Sequence, residues 1–271
     1  MRFLILLIFF PFIISAQFFS SNNEIVYGIN IGTYLANKNT AVIYDGFTNV
    51  SYGIQNILNN SNNINNGASN YLNQTLGNGN WFIGNIPPEM KYRPGLEVGL
   101  HVGSQNQKLK YYLDYNFAEI KSIGQFNVIQ DYNSSNSIEP LYETISVTGS
   151  ERRSIFNFGI ISDLVNEKDY HLGFPIFFQL IQTKFKSNQM IVNNQPYNIS
   201  NPAQAQNNVL NNNQVGMGFG AGSGLILTVP LNTEINISFG YHLQYAKVKI
   251  SEQVSGNGLQ HSIFTRLIWT K

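Results

Sequence analysis

The sequence predicts an all-β fold, namely an eight-stranded antiparallel transmembrane up-and-down β-barrel with a long first extracellular loop. Three observations predict it. Apolar residues alternate with small or polar ones, at a period of two, along eight segments of the chain. Only 11% of the 271 residues are charged, against about 25% in an ordinary soluble domain. The connections between the eight segments are alternately short and long.

The N-terminus has the layout of a secretory signal peptide. A basic residue, Arg2, precedes an apolar run from Phe3 to Ile14, and Ala16 ends a short stretch suitable for cleavage. An apolar run of about 12 residues is shorter than the roughly 20 that a helix needs to span a bilayer. We therefore expect residues 1–16 to be removed on export and residues 17–271 to form the barrel.

Each alternating segment has one face of large aliphatic and aromatic residues. The opposite face carries glycine, asparagine and isolated charges, which suits a crowded polar interior. A β-sandwich with one solvated face remains an alternative, although such a face normally carries a denser mixture of charged residues. The eight segments are 24–36, 94–103, 108–117, 154–164, 170–180, 215–229, 234–245 and 259–271.

The segment 215–229 has a glycine at every second position from Gly216 to Gly224. A nucleotide-binding G-x-G-x-x-G loop is excluded, because its third glycine has the opposite parity and a helix should follow it. The alternation instead continues into apolar residues, so the segment is a strand. Since an eight-stranded barrel is only wide enough to be filled by side chains, its glycines make room for Tyr112, Phe177 and Arg266.

The lengths of the connections predict the orientation of the barrel. Connections 104–108, 165–169 and 230–233 are short, and both termini lie on their side. Bacterial outer-membrane barrels have short periplasmic turns and longer outer loops. The hairpin of the third and fourth segments alternates beyond membrane length, so we expect it to project outside as a β-ribbon. The longer connections, predicted to lie outside, are 37–90, 131–137, 187–214 and 251–257.

With these patterns the chain resembles the small Gram-negative outer-membrane β-barrel proteins of OmpA/OmpX type. Its richness in asparagine, isoleucine and tyrosine resembles barrels of the Bacteroidota. The resemblance covers residues 24–36 and 91–271 and implies a location in the outer membrane. The last segment is similar to the assembly signal of such barrels at Leu267 and Trp269, but it departs from it by continuing to Lys271.

Ionisable residues on the predicted inner faces form a candidate polar cluster in the lumen. Ser238 and His242 share a face but lie about 13 Å apart at roughly 3.3 Å per residue, so no nucleophile is locally paired with a base. We expect these charges to be paired inside a filled barrel, and we predict no catalytic residue, cofactor or metal. A site assembled across strands remains open. The candidates are Glu97, His101, Asp114, Asp163, His171, His242 and Arg266.

The first long loop, 37–90, is far longer than a connection requires, and such loops are usually functional or disordered. Ile54, Ile57 and Leu58 have helical spacing. The loop is expected either to cover the barrel mouth or to dock onto another protein, and both remain open. The partner-contact candidates in it are Tyr44, Phe47, Tyr52, Trp81 and Phe82.

Three functional hypotheses follow. The first is a noncatalytic outer-membrane barrel that acts as a structural or accessory subunit, with outer-membrane lipids and another surface protein as partners. The second is a surface adhesion or ligand-binding barrel. The third is a lipid-modifying enzyme, which would resemble the outer-membrane acylhydrolases and acyltransferases. A net charge of +1 argues against a nucleic-acid partner, and the absence of cysteine excludes thiolate chemistry.

Overall fold

A computed structural model describes residues 24–47, 53–59, 66–77, 81–105, 110–131, 140–199, 215–250 and 255–270. The predicted signal peptide at 1–16 and the candidate Tyr52 lie outside these residues. Within the described ranges, no helix is long and apolar enough to cross a membrane.

Eight long antiparallel strands form a closed ring. They are β1 (Glu24–Leu35), β4 (Gly95–Gln105), β5 (Lys110–Gln130), β6 (Tyr142–Asn166), β7 (His171–Val192), β9 (Val215–Pro230), β10 (Ile235–Lys249) and β11 (Ser255–Thr270). The order around the ring is β5-β4-β1-β11-β10-β9-β7-β6, and β6 pairs with β5 to close it. Each of these strands lies beside the next one along the chain, and the first pairs with the last. The predicted eight-stranded up-and-down barrel is confirmed.

The two faces of the ring have opposite chemistry. Large apolar residues point outwards and remain exposed, for example Ile29 at 52%, Leu96 at 62% and Ile263 at 54%. The inner face is tightly packed, because a Cβ added at Gly220 would lie only 2.7 Å from the Cβ of Ala246 and the carbonyl oxygen of Tyr245. The glycines of β9 therefore let the neighbouring strand and its side chains approach closely.

The described short turns, β6–β7 and β9–β10, lie at the same end of the ring as the start of β1 and the end of β11, and we call this end the turn end. β5, β6 and β7 have full lengths of 21, 25 and 22 residues, and at the opposite end they extend beyond the other strands and form the expected ribbon. The predicted loop 187–214 begins too early. β7 continues to Val192 and pairs there with a short return strand, β8 (Gln195–Asn198).

A β-bulge interrupts the alternation of β7 next to residue 187, where the predicted loop begins. The register shifts between Ser150 and Glu151 of β6, where Lys186 is the extra residue of β7. Before the bulge the odd-numbered Ile181 and Phe185 point inwards, whereas after it the even-numbered Met190 and Val192 do so. One extra residue exchanges the faces of the strand, so a constant period of two cannot describe it.

The described residues between β1 and β4 fold into a compact unit, which we call the cap. It contains a 3-10 helix (Lys38–Tyr44), two α-helices (Ile54–Asn59 and Asn66–Leu76) and two short strands, β2 (Trp81–Gly84) and β3 (Lys91–Tyr92), which pair with β5. Ile54, Ile57 and Leu58 are buried on one helical face, as their spacing predicts.

The cap packs on the inner face of the ribbon and builds a conventional hydrophobic core there. On the cap side the core contains Ala41, Ile43, Tyr44, Ile54, Ile57, Leu58, Ala68, Leu72, Leu76 and Met90. The ribbon contributes Phe126, Val128, Ile145, Val147, Phe185, Met190 and Val192. The described part of the loop therefore covers the mouth of the barrel.

Candidate functional site

A polar cluster fills the middle of the barrel, and Arg266 is at its centre. The Nη2 of Arg266 donates to Asp114 Oδ2 at 2.6 Å, and its Nε donates to Asn30 Oδ1 at 2.6 Å. The other carboxylate oxygen of Asp114 lies 2.6 Å from His101 Nδ1. All four side chains are buried, and the ion pair offsets the cost of placing a charge in the lumen.

The same network continues to a second carboxylate. The amide of Asn30 donates to Asn116 Oδ1 at 3.0 Å, and the amide of Asn116 donates to Glu97 Oε1 at 2.7 Å. The hydroxyl of Ser262 donates to the other oxygen of Glu97. We call these seven residues, from Asn30 to Arg266, the lumen cluster. It brings together four of the predicted lumen residues, Glu97, His101, Asp114 and Arg266.

The other three predicted lumen residues lie apart from this network. Asp163 accepts from Lys110 Nζ at 2.9 Å near the turn end. His171 lines the cavity at that end. His242 is buried between the rings of Phe177 and Phe264, each with its centroid 4.7 Å away. Its Nε2 has no hydrogen-bond partner in the described part of the chain.

The hydrogen bonds of the lumen cluster join the side chains of neighbouring strands to one another. Asp114 orients His101 as an acidic residue orients a catalytic base, but the ring that packs on His101, at 5.9 Å between centroids, belongs to Tyr112. Ser262 lies opposite His242 on the neighbouring strand, yet its hydroxyl donates to Glu97. Within the described ranges, no group of three or more acidic or histidine side chains could hold a metal ion.

An open cavity of about 420 Å³ occupies the turn end of the barrel. His101, Tyr112 and Arg266 are among its lining residues, together with Lys110 and Asp163. The lumen cluster thus borders the cavity, and the tightly packed interior lies between it and the cap.

A second buried cluster, the junction cluster, joins the barrel to the cap. The guanidinium of Arg153 forms an ion pair with Glu151 at 2.6 Å. Its Nη1 donates to Gln260 Oε1 at 3.2 Å and to Tyr34 Oη at 3.4 Å, and its Nη2 donates to Thr40 Oγ1 at 3.3 Å. Both charged side chains are fully buried.

Two tyrosines of the cap complete this cluster by donating to the same carboxylate oxygen. Tyr44 Oη lies 2.7 Å and Tyr92 Oη 3.1 Å from Glu151 Oε2. Burial raises the pKa of both hydroxyls, and the negative charge of Glu151 raises it further. Both phenols therefore stay protonated and serve as donors. The cluster joins three segments of the ring, β1, β6 and β11, to both ends of the cap.

The junction cluster was not among the sites predicted from the sequence. Glu151 and Arg153 are two positions apart on one strand, so they share a face, and this spacing was the available signal. Their partners, however, come from a loop whose path over the barrel mouth no strand periodicity describes.

The partner-contact candidates of the cap lie in different environments. Tyr44 is fully buried and stacks on Phe185 with 5.8 Å between centroids. This placement corrects its assignment as a contact residue, because its ring has no surface left for a partner. Phe47 packs edge-on against Phe126. Trp81 is half-buried and donates from Nε1 to Asn73 Oδ1 at 2.8 Å, whereas Phe82 is 53% exposed.

Phe82 belongs to an exposed apolar row at the tip of the ribbon. It lies opposite Ile129 of β5, which in turn lies opposite Tyr142 of β6. Tyr142 is 68% exposed, and the adjacent Leu141 is also exposed. We call Phe82, Ile129, Leu141 and Tyr142 the tip patch. It is remote from the apolar belt around the ring.

Comparison with protein-family models gives no match to this chain, and comparison with curated protein sequences gives none either. Three solved structures are similar in their strand arrangement. Neisserial surface protein A is 8% identical with a TM-score of 0.40, and the alignment covers 92% of this chain and 97% of that one. Ail, the attachment invasion locus protein of Yersinia pestis, solved with the heparin analogue sucrose octasulfate, is 9% identical with a TM-score of 0.29 over 92% and 96%.

The translocator domain of the autotransporter NalP from Neisseria meningitidis is 8% identical, with a TM-score of 0.26 over 95% of this chain and 92% of that one. The first two are small outer-membrane β-barrel proteins. The closed ring of this chain is defined by its own strand pairing.

Proposed function

We propose that the protein is a noncatalytic outer-membrane barrel that holds a rigid cap at the cell surface and acts as an accessory subunit for another surface protein. The observation that carries this proposal is the inverted polarity of the ring, which is apolar outside and polar inside. Apolar residues that point to the outside need lipid, because a soluble monomer rarely exposes more than a few hundred Å² of continuous apolar surface.

The apolar belt has the dimensions of a bilayer core. On β7 the outward residues from Leu172 to Leu180 are all apolar, and they are followed by Gln182 and Lys184. Nine residues match the roughly 9–11 residues that a tilted transmembrane β-strand needs to cross the bilayer core. The belt supports a membrane position with the cap on one side and the short turns on the other.

The filled interior supports a role other than conduction. An eight-stranded ring is just wide enough to be filled by its own side chains, and here the lumen cluster and the glycine strand fill the ring between the turn-end cavity and the cap. The cap and the junction cluster then close the mouth. What remains available to other molecules is the surface of the cap and the ribbon.

The tip patch is the best candidate for the contact with a partner. Large aromatic side chains dominate the binding energy of protein interfaces, and Phe82 and Tyr142 present two of them on either side of Ile129. The patch stands on paired strands, so its geometry is fixed before a partner arrives, which lowers the entropic cost of association.

The orientation can be tested with single cysteines, since the chain has none of its own. Gln55 is exposed on the first α-helix of the cap, and Lys168 is exposed in the β6–β7 turn. In intact cells a membrane-impermeant maleimide should label Gln55→Cys and leave Lys168→Cys unlabelled until the outer membrane is permeabilised. Labelling of the turn alone in intact cells would contradict the proposed orientation.

The accessory role can be tested by replacing Phe82 and Tyr142 together with serine. Co-purification from native membranes in mild detergent should then lose the partner, while the barrel keeps its folded migration on a gel. Leu231→Ser is the matched control, because Leu231 is equally exposed but lies in the β9–β10 turn. Retention of every partner by the double variant would contradict the accessory role. Deleting the cap would be a poorer test, because it would expose Phe126 and the rest of the ribbon core.

A further inference from the structure

A polar groove of about 380 Å³ lies on the outer face of the ribbon, just beyond the apolar belt on the cap side. Phe117 is the last apolar outward residue of the belt on β5, and Lys121 follows it four positions later. The groove is lined by two cations and by several neutral hydrogen-bonding groups. These residues are Arg93, Lys121, Thr148, Ser150, Ser187 and Gln189.

The area around this groove has an excess of positive charge. Arg152 and Lys184 lie opposite each other on β6 and β7, one row below it. The carboxylate opposite Arg152 is Glu119, and it is already paired with Lys186 at 2.8 Å. Among the described residues, no carboxylate lies within ion-pair distance of Arg93, Lys121, Arg152 or Lys184. Glu119 attracts Lys121 and Arg152 at longer range, but one carboxylate among these cations leaves a net positive charge for an anion.

The backbone holds the two lining cations side by side. The N–H of Arg93 donates to the carbonyl oxygen of Lys121 at 2.8 Å. Across the groove the hydroxyl oxygens of Ser150 and Ser187 lie 2.6 Å apart, so one hydroxyl donates to the other and one proton remains for a ligand. A guanidinium and an ammonium beside hydroxyls and an amide match the chemistry of a phosphate attached to a sugar.

An aromatic surface lies directly below the groove, inside the belt. Tyr115 packs against Phe117 with 4.5 Å between ring centroids and stacks on Phe156 at 4.3 Å. Acyl chains could lie on these outward-facing rings while an anionic headgroup reached the cations above. A soluble anion would need only the cations of the groove and would leave the aromatic rings unused.

We propose that the groove binds the phosphorylated sugar headgroup of a glycolipid in the outer leaflet of the membrane. This inference rests on the proposed function, because the belt is what puts the groove at the level of the headgroups. The charge complementarity and the aromatic surface beneath select a lipid-linked phosphate.

The test uses the full barrel in a nonionic detergent. The probes are lipid A with both phosphates and the same lipid after enzymatic dephosphorylation, with binding followed by native mass spectrometry. The variant Arg93→Gln/Lys121→Gln should bind the phosphorylated lipid on the order of tenfold more weakly, about 1.4 kcal/mol. The dephosphorylated lipid should bind weakly to the wild type and the variant alike. Arg93→Lys/Lys121→Arg, which keeps both charges, should retain most of the affinity.

The matched control is Lys247→Gln/Lys249→Gln. These lysines follow the last apolar outward residue of β10, Tyr245, and β10 is four strands from β5 in either direction around the ring. This pair removes the same charge at the same level, so lipid affinity should stay within about twofold.

Three results would overturn the proposal. The first is an equal loss of affinity in Arg93→Gln/Lys121→Gln and in Lys247→Gln/Lys249→Gln. The second is equal binding of the phosphorylated and the dephosphorylated lipid to the wild type. The third is displacement of the lipid by inorganic phosphate at a concentration similar to that of the lipid. The cysteine labelling of Gln55→Cys and Lys168→Cys does not depend on glycolipid. A correctly oriented barrel that binds both lipids equally would therefore overturn this inference and leave the proposed orientation intact.

Discussion

The lumen cluster and the junction cluster are both built around a buried arginine, but they stabilise different parts of the molecule. Arg266 pairs with Asp114 inside the ring, and the hydrogen-bonded residues of its network all belong to ring strands. Arg153 pairs with Glu151 where the ring ends, and it shares that carboxylate with Tyr44 and Tyr92 of the cap. The first cluster joins strands to each other, whereas the second joins the ring to the cap.

The lumen cluster therefore stabilises the ring of strands, and the junction cluster holds the cap over the mouth of the barrel. The ring also has backbone pairing on every strand. The cap has its own hydrophobic core and the junction cluster. Removing one arginine should therefore affect either the whole ring or the position of the cap, depending on which arginine is removed.

The largest expected effect comes from Arg153→Met. It leaves Glu151 as an unpaired buried charge, which typically costs about 3–5 kcal/mol, and we expect this cost to appear as release of the cap. Limited proteolysis should then cut the cap in an otherwise folded barrel. Arg266→Met is the comparison, and it should lower the temperature at which the barrel itself unfolds on a gel. If both variants lose the barrel and the cap together, the two clusters do not act separately.

A smaller effect is expected from Gly220→Leu, which tests the packing of the ring without touching either arginine. The new side chain would meet Ala246 and the backbone of Tyr245, and overpacking of this kind typically costs about 1–3 kcal/mol. Assembly into membranes, followed by folded migration, should fall. Phe219→Leu on the lipid side of the same strand should assemble normally. Equal assembly of the two variants would mean that β9 does not line a filled lumen.

The smallest effect is expected from His242→Phe. His242 lies between Phe177 and Phe264, outside both clusters, and its Nε2 has no partner in the described part of the chain. A similarly sized apolar ring should change the stability of the barrel by less than about 1.5 kcal/mol. A large loss measured in a thermal unfolding series would give His242 a role that the present contacts do not explain.

The ring was predictable because alternation is set by local geometry. In Glu97, His101, Asp114 and Arg266 the inward parity could be assigned strand by strand, and inward charges in a narrow ring have to meet. The contacts of Arg153 could not be derived in this way, because Thr40, Tyr44 and Tyr92 come from the cap. Tyr44 itself was predicted as a partner contact, since an aromatic residue in a long loop gives no sign of the ribbon core that buries it.

The strands β5 and β6 run without interruption from the apolar belt to the tip patch. From Ser154 at the edge of the belt to Tyr142 at the tip, β6 extends for 13 residues, or roughly 40 Å along the strand. No linker separates the two ends, so a force applied at Tyr142 is transmitted through paired backbone to the ring. A partner bound there would have a fixed distance from the membrane and a fixed direction around the barrel axis. The protein can thus set the orientation of what it holds as well as its position.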